Sequence, residues 1–193
     1  MIRKMGVLAA VVACVAVAVL PRPVPAAEPA KGGDKHAERR AELDTLAEKT
    51  LAEVLAKSEN AKALHDKAYG YAVFENLKFA LGLSGGGGAG VAVPRSGQRT
   101  YMRMGTAGIG FGLGGQKYRV LFLFETEQAF RSFVDKGWQA DAAVQAAAGN
   151  KGANAGAAFN NGVAYYQITE KGLMASADVS GTKYWKYEKL NDM

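Results

Sequence analysis

Glycine is concentrated in one part of this chain, and that concentration limits which elements the middle of the sequence can form. Residues 82–115 hold 13 of the 24 glycines. A glycine inside a helix costs about 1 kcal/mol relative to alanine, so helices are disfavoured here. In the run GIGFGLGG, four glycines alternate with Ile, Phe and Leu. Strand alternation would leave one face bare, so that another element or a ligand can approach closely and the strand can bend.

Two functional motifs match within this region, and neither has the context that its chemistry needs. Residues 82–86 fit G-x-S-x-G around Ser84, but a nucleophile elbow needs a following helix and a downstream histidine. The sequence continues as GGGAGVAVP, and the only histidines, His36 and His65, lie upstream. The G-x-G-x-x-G matches run into predicted strands rather than a helix. No carboxylate pair or ligand cluster is evident, so we expect a non-catalytic protein without cofactor or metal.

The first 26 residues predict a secretory signal peptide. Arg3 and Lys4 precede an apolar run over residues 6–20, and the small-residue motif VPA occupies residues 24–26. The 15-residue run is shorter than the roughly 20 residues that a membrane-spanning helix needs. We therefore expect cleavage after the VPA motif and a location in the periplasm or cell envelope.

Lipid anchoring at Cys14 is the alternative to cleavage, although the following VAVAVL stays apolar where a lipoprotein usually turns polar. Cys14 is the only cysteine, so cleavage would leave no disulfide, thiol nucleophile or thiolate metal site. The leader also carries three of the 24 basic residues and no acid, so cleavage would lower the net charge from +6 to +3. This mild charge permits contact with anionic lipid, and we expect no nucleic-acid partner.

Hydrophobic periodicity predicts an α+β domain after the leader. We assign residues 27–40 to a flexible tether that begins with AEPAKGGD, and residues 41–190 to the domain. Helical spacing predicts an amphipathic helix over residues 35–57, overlapping the end of the tether, and a second helix follows the N-cap Ser58. Extended patterns predict strands at 71–74, 90–93, 99–104, 117–124, 163–168, 173–179 and 182–187, with a further strand favoured over 138–149.

One helix, over residues 126–136, is inserted between these strands, and Gly137 is its expected stop signal. Because strands outnumber helices and most lack a helical crossover, we expect a largely antiparallel sheet. The predicted fold has N-terminal helices followed by a glycine-rich, curled sheet that forms a sandwich or partial barrel.

Several segments, in order, resemble the SYLF lipid-binding domain. They are AYGYAVFENLKFALG (68–82), GGGGAGVAV (85–93), TAGIGFGLGGQKYRVLFLF (106–124), TEQAFRSF (126–133) and KGLMASADVSGTK (171–183). The resemblance covers about residues 41–187. It implies a lipid-binding rather than a catalytic domain, with eukaryotic relatives that bind phosphoinositides or actin and bacterial relatives in the envelope.

Cations and aromatic residues in the resembling segments are the candidates for contact with anionic membrane lipid. We expect four of them, Arg99, Arg103, Lys117 and Arg119, to form one basic patch. The complete candidate set is Lys78, Arg95, Arg99, Arg103, Lys117, Arg119, Tyr184, Trp185 and Lys186. The alternative function is an envelope structural or protein-interaction module whose basic face meets an acidic partner.

Overall fold

The computed structural model of the chain describes residues 34–139, 158–169, 172–174 and 181–192, with side chains described in these ranges except at 80–84, 108–114, 139 and 174. The predicted leader lies outside the described residues. The described helices are α1 (Lys35–Lys57), α2 (Glu59–Lys67), α3 (Glu127–Lys136) and α4 (Glu188–Asn191). The described strands are β1 (Gly70–Pro94), β2 (Thr100–Phe124), β3 (Trp138–Gln139), β4 (Val163–Thr169), β5 (Gly172–Met174) and β6 (Thr182–Lys186).

Side-chain caps fix where the three longer helices begin. The Asp34 carboxylate accepts a hydrogen bond from the His36 backbone N–H at 3.0 Å, and Ser58 and Thr126 cap α2 and α3 in the same way. Because α1 begins at Lys35, residues 35–40 are helical and do not belong to a flexible tether. None of the helices in the described ranges is long and apolar enough to cross a bilayer.

Strands β1 and β2 form one long antiparallel hairpin of 25 residues on each side. The sequence predicted four shorter strands here, because the glycine runs between them looked like interruptions. In the structure the glycine runs stay extended, and the register passes from Gly70 opposite Phe124 to Ala92 opposite Thr100. A single register shift lies between Leu81 and Gly82.

The N-terminal and C-terminal halves of β1 approach each other backbone to backbone, because the glycines in the C-terminal half carry no side chain. A Cβ atom on Gly88 would overlap the carbonyl group of Glu75, and one on Gly90 would overlap the carbonyl oxygen of Val73. Side chains at these two positions would therefore hold the halves apart. The structure thus shows a close approach at glycines of β1, whereas the face predicted for the alternating run at 108–114 lies outside the described side chains.

Strand β2 is the centre of the sheet. Strand β1 pairs along its whole length, while β4 pairs with its C-terminal part and β6 with its N-terminal part. Strands β5 and β3 extend the sheet beyond β4 and β6, and every described pairing is antiparallel. The expected α+β fold, with N-terminal helices followed by a curled antiparallel sheet, is confirmed, and the sheet is not closed. Most of the strand favoured over 138–149, and the end of the one over 173–179, lie outside the described residues.

Alternation gives the sheet two different faces. The inner face packs against α3 through an aromatic cluster that includes Phe74, Phe122, Phe124, Phe133 and Tyr184. The outer face packs against α1, α2 and α4 and is mainly aliphatic, with Leu43, Val54, Val73, Leu121, Leu123 and Ile168 among its buried residues. We use the terms inner face and outer face in this sense below.

Candidate functional site

The structure does not bring the nine predicted site residues together on one surface. Arg95 follows β1, and its guanidinium donates to the backbone carbonyls of Ala68 at 2.6 Å and Asp66 at 2.5 Å. These carbonyls lie at the C-terminal end of α2, where a cation satisfies acceptors that have no partner within the helix. Arg95 is therefore part of the joint between α2 and the sheet.

Two cations of the predicted basic patch hold α1 against the outer face. Arg99 forms ion pairs with Asp44 at 3.0 Å and Glu48 at 2.8 Å. Arg119 reaches Glu53 at 2.7 Å and also donates to the Thr50 hydroxyl at 3.0 Å. Arg99, Arg103, Lys117 and Arg119 do not form one unpaired basic patch, because Arg99 and Arg119 are ion-paired with carboxylates of α1.

Tyr184 cannot contact lipid, because it is fully buried in the inner-face cluster. Its ring lies 4.7 Å from that of Phe74 and 5.2 Å from that of Phe122, measured between centroids. Burial raises the pKa of its hydroxyl well above the usual range, with a smaller contribution from the neighbouring tyrosines 118 and 165. Tyr184 and its neighbour Trp185 do not share one surface, since successive strand residues point to opposite faces.

Lys78 and Lys117 lie near each other on the β1–β2 hairpin. Lys117 is exposed and opposite Leu77, whereas Lys78 is half-buried and opposite Gln116. Phe79 is 58% exposed and its ring covers Gly115, so this part of the hairpin presents an apolar group beside a cation.

Trp185 lies at the centre of the surface that best fits the sequence prediction. Its side chain is 40% exposed, and its indole ring covers Gly105, where a Cβ atom would be 3.2 Å away. Arg103 is the cross-strand partner of Trp185, and its guanidinium carbon lies 3.9 Å from the centroid of the Tyr187 ring. Such a cation–π contact orients Arg103 without neutralising its charge. We call Arg103, Lys183, Trp185, Tyr187 and Lys189 the Trp185 surface.

Charge on the Trp185 surface is mainly positive. Lys183 and Lys189 are exposed, and among the described residues no carboxylate lies within ion-pair distance of these lysines or of Arg103. Lys186, the last predicted site residue, is paired with Asp135 at 2.9 Å. A recess of about 480 Å³ adjoins the surface and is lined by Arg103, Asp135, Lys136, Gly137, Trp185, Lys186, Tyr187, Glu188 and Lys189.

The sequence itself carries a signal for this surface. Strand alternation in KYWKY puts residues 183, 185 and 187 on one face and residue 184 on the other. The contribution of Lys136 to the recess could not be read from the sequence, because it depends on how α3 packs beside β6.

The rejected serine motif lies in the middle of β1. Ser84 is part of a strand that continues to Pro94, so no helix follows it as a nucleophile elbow requires. Within the described ranges, no group of three or more His, Cys, Asp or Glu side chains is placed to bind a metal ion. His65 is half-buried beside Tyr71, and burial lowers the pKa of its imidazole.

Comparison with known proteins identifies relatives of this chain. Residues 105–193 match the family described as Ysc84, Las17-binding protein actin regulator. The chain is also 46% identical, over 156 residues, to beta cell expansion factor A of Aeromonas veronii. That alignment covers 80% of this chain and 60% of the relative, so the chain spans about 60% of the relative's length.

The Ysc84 family is the SYLF family, which is linked to lipid and actin binding and whose members are not known as enzymes. The Aeromonas relative is also a SYLF protein. The family match includes β6 and α4, which carry most of the Trp185 surface. The segments quoted from the sequence, the family match over residues 105–193 and the identity to this relative agree, and the chain is similar to the SYLF family.

Proposed function

We propose that this protein binds anionic membrane lipid through the Trp185 surface and acts at a bacterial cell envelope without catalysing a reaction. The observation that carries the proposal is the exposed indole of Trp185, which is surrounded by cations that have no carboxylate partner among the described residues. The family's link to lipid binding supports the same function.

The aromatic part of this surface suits the boundary between lipid headgroups and water. Tryptophan and tyrosine rings favour that boundary because they combine a large apolar area with a polar group. Trp185 and Phe79 are the large hydrophobic side chains that the structure exposes in its described part, and of these two Trp185 is the one flanked by several cations.

The cationic part supplies attraction to anionic headgroups. Each cation close to an anionic membrane contributes about 1 kcal/mol, and less as salt rises. Arg103, Lys183 and Lys189 together would contribute at most about 3 kcal/mol, because charges near one surface are not independent. Glu188 lines the same recess, and its negative charge reduces this attraction.

Location in the envelope rests on the leader sequence rather than on the fold. Export would place the domain beside membranes whose anionic lipids are not phosphoinositides, so phosphatidylglycerol is the more relevant ligand to test. An acidic protein partner is the alternative occupant of the same surface, and flotation with anionic vesicles separates the two, because only lipid binding makes the chain float with them.

Vesicle flotation of the chain tests the proposal. We expect partitioning onto vesicles with phosphatidylglycerol, little onto phosphatidylcholine alone, and weaker partitioning as salt rises. Replacing Arg103, Lys183 and Lys189 with Gln should weaken partitioning by up to about 100-fold, which corresponds to about 3 kcal/mol. Trp185→Ala should weaken it further.

Two controls match these variants. Gln at the exposed residues Lys49, Lys62 and Lys67 of α1 and α2 changes the net charge equally, away from Trp185, and should retain most of the binding. Phe79→Ala removes an exposed apolar ring elsewhere on the hairpin. Loss of binding in Phe79→Ala with retention in Trp185→Ala would move the contact to the Phe79 end of the hairpin and overturn the proposal.

A further inference from the structure

We propose that the recess beside Trp185 selects among anionic lipids and takes a phosphodiester headgroup that carries a hydroxyl group, as phosphatidylglycerol does. The cations of the recess hold the phosphate, and the Glu188 carboxylate accepts a hydrogen bond from the headgroup hydroxyl. This inference rests on the proposed function, since it concerns which headgroup the Trp185 surface binds. Its basis is Glu188, a carboxylate without an ion pair in the described ranges, which lines a recess that is otherwise mainly cationic.

The recess has the size of a small-molecule site and is built by several elements. Its volume of about 480 Å³ lies within the range of roughly 300–1,000 Å³ that such sites have. Strands β2 and β6 and helices α3 and α4 contribute to its lining, which includes Arg103, Lys136, Trp185, Glu188 and Lys189. A Cβ atom on Gly137 would overlap the carbonyl oxygen of Tyr184. Glycine at this position therefore keeps the end of α3 close to β6.

Three cations of the recess can hold a phosphate group. The Arg103 guanidinium carbon lies 3.9 Å from the centroid of the Tyr187 ring, a contact that orients the side chain and leaves its charge in place. Lys136 and Lys189 are exposed, and no carboxylate lies within ion-pair distance of either in the part of the chain that the structure describes. Guanidinium and ammonium groups donate charge-assisted hydrogen bonds to phosphate oxygens. The negative charge of a phosphodiester is therefore fully balanced here.

The two carboxylates that line the recess differ in whether they have a partner. Asp135 is paired with Lys186 at 2.9 Å. Glu188 is exposed, and its side chain has neither an ion pair nor a hydrogen bond to another described residue. An ionised carboxylate can only accept hydrogen bonds. Glu188 therefore opposes an anion that brings no donor, and it favours one that carries a hydroxyl group beside its phosphate.

This arrangement separates phospholipids that carry the same charge. Phosphatidylglycerol has hydroxyl groups close to its phosphate, and one of them can donate to Glu188. Phosphatidylmethanol has the same phosphodiester and no hydroxyl group, so its headgroup would place a negative charge beside Glu188 without a hydrogen bond. A hydrogen bond to a charged group that stays partly hydrated changes affinity by about tenfold.

Flotation with two matched vesicle types tests the selection. Both contain phosphatidylcholine and the same mole fraction of an anionic lipid, which is either phosphatidylglycerol or phosphatidylmethanol. We expect the full chain to bind the phosphatidylglycerol vesicles about tenfold more tightly. Equal binding to both types would overturn the selection and leave the proposed function intact. Absence of binding to either type would overturn the proposed function as well.

Glu188→Ala separates hydrogen bonding from charge repulsion. Removal of the negative charge should strengthen binding to phosphatidylmethanol vesicles, whereas on phosphatidylglycerol vesicles the lost hydrogen bond offsets this gain. The preference of about tenfold should therefore disappear. Glu125→Ala, which removes an exposed carboxylate outside the recess, is the matched control and should keep the wild-type preference. An equal gain on both vesicle types in Glu188→Ala would mean that Glu188 acts through charge alone, and it would overturn the proposal.

Soluble glycerophosphoglycerol distinguishes a membrane lipid from a soluble ligand with the same headgroup chemistry. It carries the phosphodiester and the hydroxyl groups but no acyl chains, so the Trp185 ring gains no contact with a bilayer from it. At a concentration equal to that of the accessible phosphatidylglycerol, it should leave the chain on the vesicles. Release of the chain at that concentration would make a soluble phosphodiester the ligand and would overturn the assignment to lipid.

Discussion

The two faces of the sheet are covered by different chemistry. On the outer face, α1 is held by aliphatic contacts such as those of Leu43 and by ion pairs from Arg99 and Arg119. On the inner face, rings pack against rings around Phe122, and the polar groups among them are uncharged. A face that is partly open to water can use ions, whereas a closed face can accommodate only neutral polar groups.

This difference explains how the cations of the chain are divided. The cations beneath α1 form ion pairs with carboxylates of that helix, so they stabilise the docking of α1 on the sheet. Arg103, Lys183 and Lys189 have no ion-pair partner in the described ranges and keep their charge available for a ligand. Cations in similar sequence settings therefore have different roles, which depend on whether a helix covers them.

The largest loss of stability is expected where the two halves of β1 approach each other backbone to backbone. Gly88→Ala places a methyl group onto the Glu75 carbonyl, and backbone cannot yield as a flexible side chain can. We expect a loss of at least about 3 kcal/mol in the free energy of unfolding, at the upper end of overpacking effects, or failure to fold. Chemical denaturation would measure it.

Gly87→Ala is the matched control for this substitution. Its Cβ atom would lie 3.5 Å from the Met104 carbonyl oxygen, which is an ordinary contact. The change should therefore be smaller than about 1 kcal/mol. Equal losses for Gly87→Ala and Gly88→Ala would show that the chain needs glycine for flexibility and not for close approach.

Core truncations on the two faces should differ in kind. Phe122→Ala removes a ring that contacts Phe74, Phe133 and Tyr184, so it should cost about 3–5 kcal/mol and lower the stability of the whole sheet. Leu43→Ala should cost about 2–3 kcal/mol and act mainly on α1. Hydrogen exchange would separate the two, since only Leu43→Ala should lower protection in α1 well before the sheet. Uniform loss of protection in both variants would contradict this division.

Local signals predicted the helices well. Ser58 and Thr126 are capping residues whose side chains bind the first turn, and both helices begin directly after them. The exception is α4, which has four residues and therefore no periodicity to recognise. The two long strands were predicted only in pieces, because glycine inside a strand and glycine between strands look the same in sequence.

Site prediction succeeded only in part, for a different reason. A lysine or arginine pattern shows where cations are but not which carboxylates a distant helix brings to them. Asp44 and Glu53 lie more than 50 residues before the arginines that they bind. Burial of Tyr184, in contrast, followed from simple alternation once residues 182–186 were assigned to a strand.

The smallest expected effect concerns the ion pairs of the outer face. Hydrogen bonds from Lys57 and Arg119 lower the pKa of the Glu53 carboxyl below its ordinary value of 4.5. A lowered pKa in the folded state means that Glu53 contributes stability above pH 4.5, and that this contribution is lost as the pH falls through the folded-state value.

Because the ion pair between Glu53 and Arg119 is partly exposed, we expect Glu53→Gln to lower the free energy of unfolding by no more than about 1 kcal/mol at pH 7. Denaturation at several pH values should show the difference from wild type shrinking on acidification. Glu125→Gln, at an exposed carboxylate without an ion pair in the described ranges, should show little difference at any pH. A cost for Glu53→Gln that stayed constant with pH would mean that packing of its side chain, and not its charge, holds α1 on the sheet.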